Sequence, residues 1–237
     1  MQTTVYEIKS NIEKPLMIAI IADTHDKPCR GLVPALYLAH PDMIAVPGDL
    51  MNALKDEKHS LDLLQKARMV APTFYSPGNH ENLAKEDKTK IEATGAIFLD
   101  DDYKEWNGLF IGGLASGFRG PVKGGKKETP APDLAWLDKF SSLPGYKILL
   151  NHHPEYYPKY LKDKDINLIL SGHAHGGQWR IFGHGVFAFG QGLFPIYDSG
   201  VYDGRLVVSR GLANHFIIPR IFNRPELVVV DLIPSEL

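Results

Sequence analysis

Apolar positions along this chain gather into short runs that end abruptly in polar residues. Residues 16–23 (LMIAIIAD), 43–49 (MIAVPGD), 73–80 (TFYSPGNH), 146–153 (YKILLNHH) and 166–173 (INLILSGH) are each rich in aliphatic or aromatic side chains and close on turn-forming or charged groups. Runs of this length and content predict buried strands. Between them, residues 32–40, 57–70, 83–94 and 132–142 predict helices. In the second of these, Leu61, Leu64 and Ala67 fall along one side, at the spacing of an amphipathic helix. Strand and helix in alternation predict an α/β domain. Residues 103–114 (YKEWNGLFIGGL) predict a hairpin turning at Asn107 and Gly108. The segments RLVVSRG (205–211) and PELVVVDL (225–232) add strands without a helix between them. A mixed sheet, or two sheets packed face to face and flanked by helices, accommodates this pattern better than a purely parallel sheet.

No internal repeat or low-complexity tract interrupts the pattern, so residues 1–237 are expected to form one domain. The Gly-, Pro- and Lys-rich stretch 117–132 reads as a solvated loop of that domain. An anion contact by its Arg119 or Lys123 is the lesser alternative.

Composition narrows the classes of function. Lys and Arg number 26 against 28 Asp and Glu, a formal net charge of -2. No overall field therefore draws the chain to nucleic acid or to an anionic membrane, and nucleic acid is not an expected partner. The single cysteine, Cys29, excludes an intramolecular disulfide and a thiolate zinc site. It reads as a small, partly buried apolar residue. The N-terminal stretch MQTTVYEIKSNIEKP lacks a basic segment followed by an apolar one. The longest apolar run, LMIAIIA, has seven residues, well below the roughly 20 of a membrane span. No membrane span and a cytoplasmic location are expected.

The chemistry lies where the five strands end. The first closes on Asp23 and His25 (ADTHD), the second on Asp49 (PGDLMN) and the third on Asn79 and His80 (PGNHE). The fourth closes on His152 and His153 (NHHP), and the fifth on His173 and His175 (SGHAH). In open α/β sheets, ligands bind beyond the carboxyl ends of the strands. Glycine before Asp49, Asn79 and His173 lets the backbone turn sharply there. Singly these signals are weak, because a Gly-Asp at a strand end is often an Asx-turn. Five such exits in one chain point to a site.

Two carboxylates, one amide oxygen and four imidazoles form a hard-to-borderline ligand set that suits Mn, Fe or Zn better than calcium. Seven ligands exceed the needs of one tetrahedral ion and suffice for two if a carboxylate bridges. Two divalent ions, two aspartates and one hydroxide leave a net positive centre, which favours an anionic substrate such as a phosphate ester. No serine or cysteine nucleophile with its base, and no phosphate-binding G-x-x-x-x-G-K-[ST] loop, is present.

The order D-x-H, G-D, G-N-H-E, H-x-P and G-H-x-H resembles the calcineurin-like metallophosphoesterase superfamily. GHAHGGQ, followed by QGLFPIYDSGVY, VSRGL and PRIFNRPEL, resembles a bacterial subgroup of it. The resemblance implies two mixed β-sheets in a sandwich flanked by helices, the calcineurin-like phosphoesterase fold. It implies a first metal held by Asp23, His25 and His175 and a second by Asn79, His152 and His173, with Asp49 bridging. Manganese is favoured, with iron or zinc as alternatives. His80 would contact the phosphate, beside Asn79, and protonate the leaving oxygen. His153 would face the substrate or stand behind the ligands. The implied activity is hydrolysis of a small phosphorylated substrate, a phosphodiester in preference to a monoester. Rival readings are a nuclease or cyclic-nucleotide phosphodiesterase, and a non-catalytic binding scaffold on the same fold. GDLMN lacks the Asp-Arg-Gly continuation of the protein serine/threonine phosphatases, which disfavours that branch. His40, His59 and His184 are expected at the surface or in loops, His215 in an ordinary structural role with the mouth of the site as the lesser alternative, and Arg210, Arg220 and Arg224 in scaffold ion pairs.

Overall fold

The apolar runs become strands of two six-stranded sheets. A computed structural model describes residues 1–51, 57–81, 83–118, 129–214 and 219–235. The first sheet runs in the order β1 (Gln2–Ser10), β16 (Glu226–Pro234), β2 (Leu16–Ile20), β3 (Met43–Pro47), β4 (Thr73–Ser76) and β5 (Ile97–Phe98). The second runs β14 (Gly200–Tyr202), β15 (Leu206–Val208), β9 (Leu168–Ser171), β8 (Tyr146–Asn151), β7 (Leu109–Leu114) and β6 (Asp102–Trp106). Both are mixed, as expected: β16 lies antiparallel to β2, whereas β2, β3 and β4 are parallel. Likewise β6 is antiparallel to β7, and β7, β8 and β9 are parallel. The predicted turn between β6 and β7 has positive φ at both Asn107 and Gly108, which suits a tight hairpin.

Side chains alternate across the strands, yet both faces are covered. Ile18, Ile20, Met43, Ala45 and Phe74 of the first sheet meet Ile148, Leu150, Leu168 and Leu170 of the second in the central core. On the outer face, Ala19, Ile21, Ile44 and Val46 pack beneath α1 (Leu32–Ala39), α2 (Lys58–Val70) and α3 (Lys85–Ala93) through Leu32, Leu36, Leu64 and Ile91. Leu149 and Ile169 of the second sheet pack beneath α4 (Leu134–Ser141) through Leu137 and Phe140. Burial on both faces is why these strands read as continuous apolar runs and not as alternating ones.

The structure differs from the expected pattern in three ways. The central strands end earlier than expected, at Ile20, Pro47, Ser76 and Ser171. The residues after them leave the ladder, and Asp23, His25, Asp49, His173 and His175 adopt left-handed backbone, which cannot continue a strand. Strand β1 was not anticipated from its sequence. It pairs in parallel with β16, so the first and last strands lie side by side. Beyond β9, two ribbons of two-residue strands follow, β10 (Arg180–Ile181) with β11 (His184–Gly185) and β12 (Phe187–Ala188) with β13 (Gly192–Leu193). Among the described residues, no helix is long and apolar enough to cross a membrane.

Candidate metal centre

Because β2, β3 and β4 are parallel in one sheet and β8 and β9 in the other, their exits converge at one edge of the sandwich. Asp49, leaving β3, lies at the meeting point. Its Oδ2 stands 3.2 Å from His152 Nε2, across the sheets, and 3.9 Å from both His25 Nε2 and His80 Nε2. Its Oδ1 accepts the His80 backbone N–H at 2.9 Å. Asp23, leaving β2, accepts the His173 N–H on both oxygens at 3.1 Å and stands 3.6 Å from His175 Nε2. The Nε2 atoms of His25 and His175 face each other at 3.2 Å. Among the described residues four overlapping groups could hold a cation: Asp23–His25–His175, His25–Asp49–His80, Asp49–His152–His173 and, behind them, His153–Glu155–His173. The structure thus brings the anticipated residues together from five loops.

Close approach of backbone makes this possible. Gly48 has φ +95°, and a Cβ there would lie 2.6 Å from His152 Nδ1 and 2.8 Å from the backbone of Gly78. A Cβ on Gly78 would lie 2.3 Å from Asp49 Oδ1. Both are below any tolerated contact, so glycine at these two exits lets Asp49 and His152 sit against each other.

The polar atoms fit a cation. His152 Nδ1 lies 2.8 Å from the Pro47 carbonyl, which can only accept, so that nitrogen carries the proton. The neutral ring then aims the lone pair of Nε2 at the Asp49 carboxylate, and two acceptors at 3.2 Å need a proton or a cation between them. Asn79 Oδ1 is buried without a hydrogen-bond partner, an orphan that costs about 1–3 kcal/mol.

Electrostatics agree. Burial would raise Asp49, but His152, His80 and His25 hold it well below the usual carboxylate range. Burial would lower His152, but Asp49 outweighs it and pushes the ring up to about 10. In the chain alone, a proton therefore fills the gap. Burial pushes Asp23 up to about 7, despite the neighbouring His152. Burial drives His173 down to about 3 and His175 well down, so both rings are neutral, the form that ligates metal.

His80 differs from the others. Its side chain is 33% exposed, while His25, His152, His173 and His175 are buried. Its ring packs edge-on to His25 at 4.9 Å. It is the histidine of the cluster that a ligand arriving from solvent meets. His153, by contrast, is fully buried behind His173, with Nε2 at 2.8 Å from Ser116 Oγ and Nδ1 at 3.2 Å from Glu155 Oε1.

Several supporting residues escaped the sequence reading. The Glu81 carboxylate accepts the backbone N–H groups of Gly78, Asp49 and Met51, at 2.5, 3.0 and 2.9 Å, tying the β3 and β4 exits together. Glu155 lies 3.7 Å from His173 Nε2. Asn223 donates to the His175 carbonyl at 2.7 Å. Arg220 donates to the carbonyls of Arg210 and Ala213 and places Nη2 3.1 Å from His175 Nδ1. It therefore abuts a candidate ligand, whereas Arg210 makes its expected ion pair, 3.1 Å from Glu226. Glu81 and Glu155 were visible as the acids of GNHE and HHPE. Their contacts are to backbone and to rings of other loops, which spacing does not encode.

The other expectations can be placed briefly. His40, His59 and His184 are exposed. Cys29 is half-buried against the α1–α2 layer, and burial pushes its thiol up to about 11. Arg119, Lys123 and His215 lie outside the described residues.

The profile of the calcineurin-like phosphoesterase family matches residues 16–177. A Campylobacter jejuni protein named as an uncharacterized metallophosphoesterase, Cj0846, is 30% identical over 237 residues, covering 94% of this chain and 60% of that protein. Phosphodiesterase YaeI of Escherichia coli is 24% identical over 246 residues, covering 92% of this chain and 83% of that protein. The chain spans less than two thirds of the length of the Campylobacter relative and of two Helicobacter pylori relatives. Among solved structures, TT1561 of Thermus thermophilus superposes with a TM-score of 0.50 at 16% identity, over 66% of this chain and 81% of that one. That is a likeness of fold.

Proposed function

The chain belongs to the calcineurin-like phosphoesterase family, and from that premise we propose that it hydrolyses a small anionic phosphoester at a paired metal centre built on Asp49. Asp23, His25 and His175 hold one divalent ion, and Asn79, His152 and His173 hold the other, with Asp49 shared. The all-oxygen-and-imidazole donor set favours manganese, with iron or zinc as alternatives. Ions bound there would acidify a water and neutralise charge on the phosphoryl oxygens.

The chain's own residues do the rest. Asp49 is held ionised and fixed by the His80 backbone N–H. Asp23 is fixed by the His173 N–H. His80, the most exposed imidazole of the cluster, contacts the phosphate and donates a proton to the departing oxygen. His153, engaged on both ring nitrogens by Ser116 and Glu155, buttresses His173 and does not contact substrate. The E. coli relative named as a phosphodiesterase supports a diester in preference to a monoester.

One observation carries this reading. Asp49 Oδ2 lies within 3.9 Å of three imidazole Nε2 atoms from three different loops, and Asn79 Oδ1 is buried without a hydrogen-bond partner. The test is hydrolysis of bis(p-nitrophenyl) phosphate and of p-nitrophenyl phosphate by chelator-stripped protein with Mn²⁺ restored. Metal-dependent turnover of the diester, faster than of the monoester, is expected. Turnover unaffected by stripping and restoring metal would contradict it.

A further inference from the structure

Fourteen non-glycine residues among those described have positive φ. Eleven are Asp, Asn, His or Gln, most of them types whose short polar side chains tolerate left-handed backbone. The remaining three are phenylalanines, Phe182, Phe194 and Phe222, at φ 50°, 52° and 53°. A phenylalanine ring has no local hydrogen bond to offset that strain. Nor is any of the three in the core. Phe182 is 99% exposed, Phe222 88% and Phe194 71%. The backbone is thus held in an unfavourable conformation at three separate positions, each presenting an aromatic ring to solvent.

Backbone pairing joins the three positions into one surface. Trp179 pairs with Ile221 in a parallel bridge, and Arg180 donates its N–H to the Ile221 carbonyl at 3.0 Å. Val186 N–H reaches the Trp179 carbonyl and Phe194 N–H reaches the Val186 carbonyl, both at 2.8 Å. Exposed Leu193 and Ile196 fill in around the rings. This surface begins at the candidate metal centre. The loop leaves directly from His175, and Asn223, next to Phe222, holds the His175 carbonyl.

The charge around the rings is one-sided. In residues 176–202 and 219–226 the only carboxylates are Asp198 and Glu226. Both are buried in ion pairs, Asp198 with Arg180 at 3.2 Å and Glu226 with Arg210 at 3.1 Å. Asp203, next along the chain, is exposed but pairs with Lys162 at 3.4 Å, and the other exposed charges at the margin are cationic. They are Arg224 beside Phe222, and Lys27, whose ammonium donates to the Asn214 carbonyl, while the Asn214 side chain accepts from Gln178. The near-neutral chain therefore carries a local face that is aromatic, free of unpaired acid and cationic at its rim.

We propose that this face docks the protein on a bilayer containing anionic phospholipid, with Phe182, Phe194 and Phe222 entering the interface and the candidate metal centre held at headgroup level. A fluid interface accepts the three rings singly, and aromatic rings with a basic rim suit it. Resting on the phosphoesterase reading, the consequence is a substrate class: a phosphoester carried by an amphiphile of that bilayer.

The test is co-sedimentation of the full chain with vesicles of phosphatidylglycerol and phosphatidylethanolamine, and with vesicles of phosphatidylcholine alone. The same measurement is made on a variant carrying Phe182→Ser, Phe194→Ser and Phe222→Ser. The unaltered chain is expected to bind the anionic vesicles more tightly than the neutral ones. The variant should bind at least about tenfold more weakly, the effect of withholding even one such ring from the interface. It should keep the metal-dependent turnover of soluble bis(p-nitrophenyl) phosphate. Equal vesicle binding by both proteins, or none by either, would overturn the proposal. So would a dimer that the variant dissociates, which would assign the rings to a second copy. Vesicle binding lost in the variant, with no diester turnover in either protein, would uphold the docking and refute the phosphoesterase reading instead.

Discussion

Asp23, His25, Asp49, His173 and His175 hold φ between 47° and 66°, a conformation that costs a non-glycine residue roughly 1–2 kcal/mol. Such strain persists only where the surroundings over-determine it. Here backbone N–H groups and facing imidazoles fix each carboxylate, which places five of the seven candidate ligands with little freedom left to lose on binding a cation. His80 stands outside this constraint. Its side chain is partly exposed and its Nε2 lies 3.9 Å from Asp49 Oδ2, at the margin of the cluster. His80→Ala is therefore expected to retain bound metal and to lose turnover by roughly 10²–10⁴-fold, the range for a positioned proton donor. Metal analysis alongside diester hydrolysis checks this. Loss of metal in the variant would make His80 a ligand, and full turnover would remove it from the chemistry.

The exits of β3 and β4 form one unit because the Glu81 carboxylate bridges them through three backbone N–H groups. Glu81→Gln keeps the shape but replaces one accepting oxygen by a donor that faces N–H groups. A loss of about 1–3 kcal/mol in stability is expected, with metal affinity weakened roughly 10–100-fold. Thermal unfolding and metal titration measure the two effects, and a variant equal to the parent in both would leave Glu81 without the bracing role. This element also marks the limit of what the chain discloses. The candidate ligands were legible because each follows a buried strand and is polar where the pattern demands an end. Glu81 was legible as a residue of GNHE but not as a brace, since its partners are backbone atoms of Asp49 and Met51, thirty-odd positions away. The ribbons of residues 180–193 were not legible, because two-residue strands carry no periodicity. Their phenylalanines even resemble core residues until the structure shows them outside.

At the scale of the whole molecule, the sandwich positions the centre by dividing it. The first sheet delivers Asp23, His25, Asp49, Asn79 and His80, and the second delivers His152, His173 and His175. The central core, where Ile18, Ile20 and Phe74 meet Ile148 and Leu170, sets the distance between the two groups. Mixed strand order and helices on both outer faces were legible from the runs and their spacing. The parallel pairing of β1 with β16 was not, because it joins opposite ends of the chain. Metal content is the measurement that reaches the central claim most directly. Manganese-loaded protein, freed of unbound ion, would be analysed for metal beside Asp49→Asn. About two ions per chain are expected in the parent, as a two-metal phosphoesterase site requires, and loss of both in the variant, because Asp49 faces both groups. A parent that binds no ion, or a variant that retains its full complement, would contradict that claim.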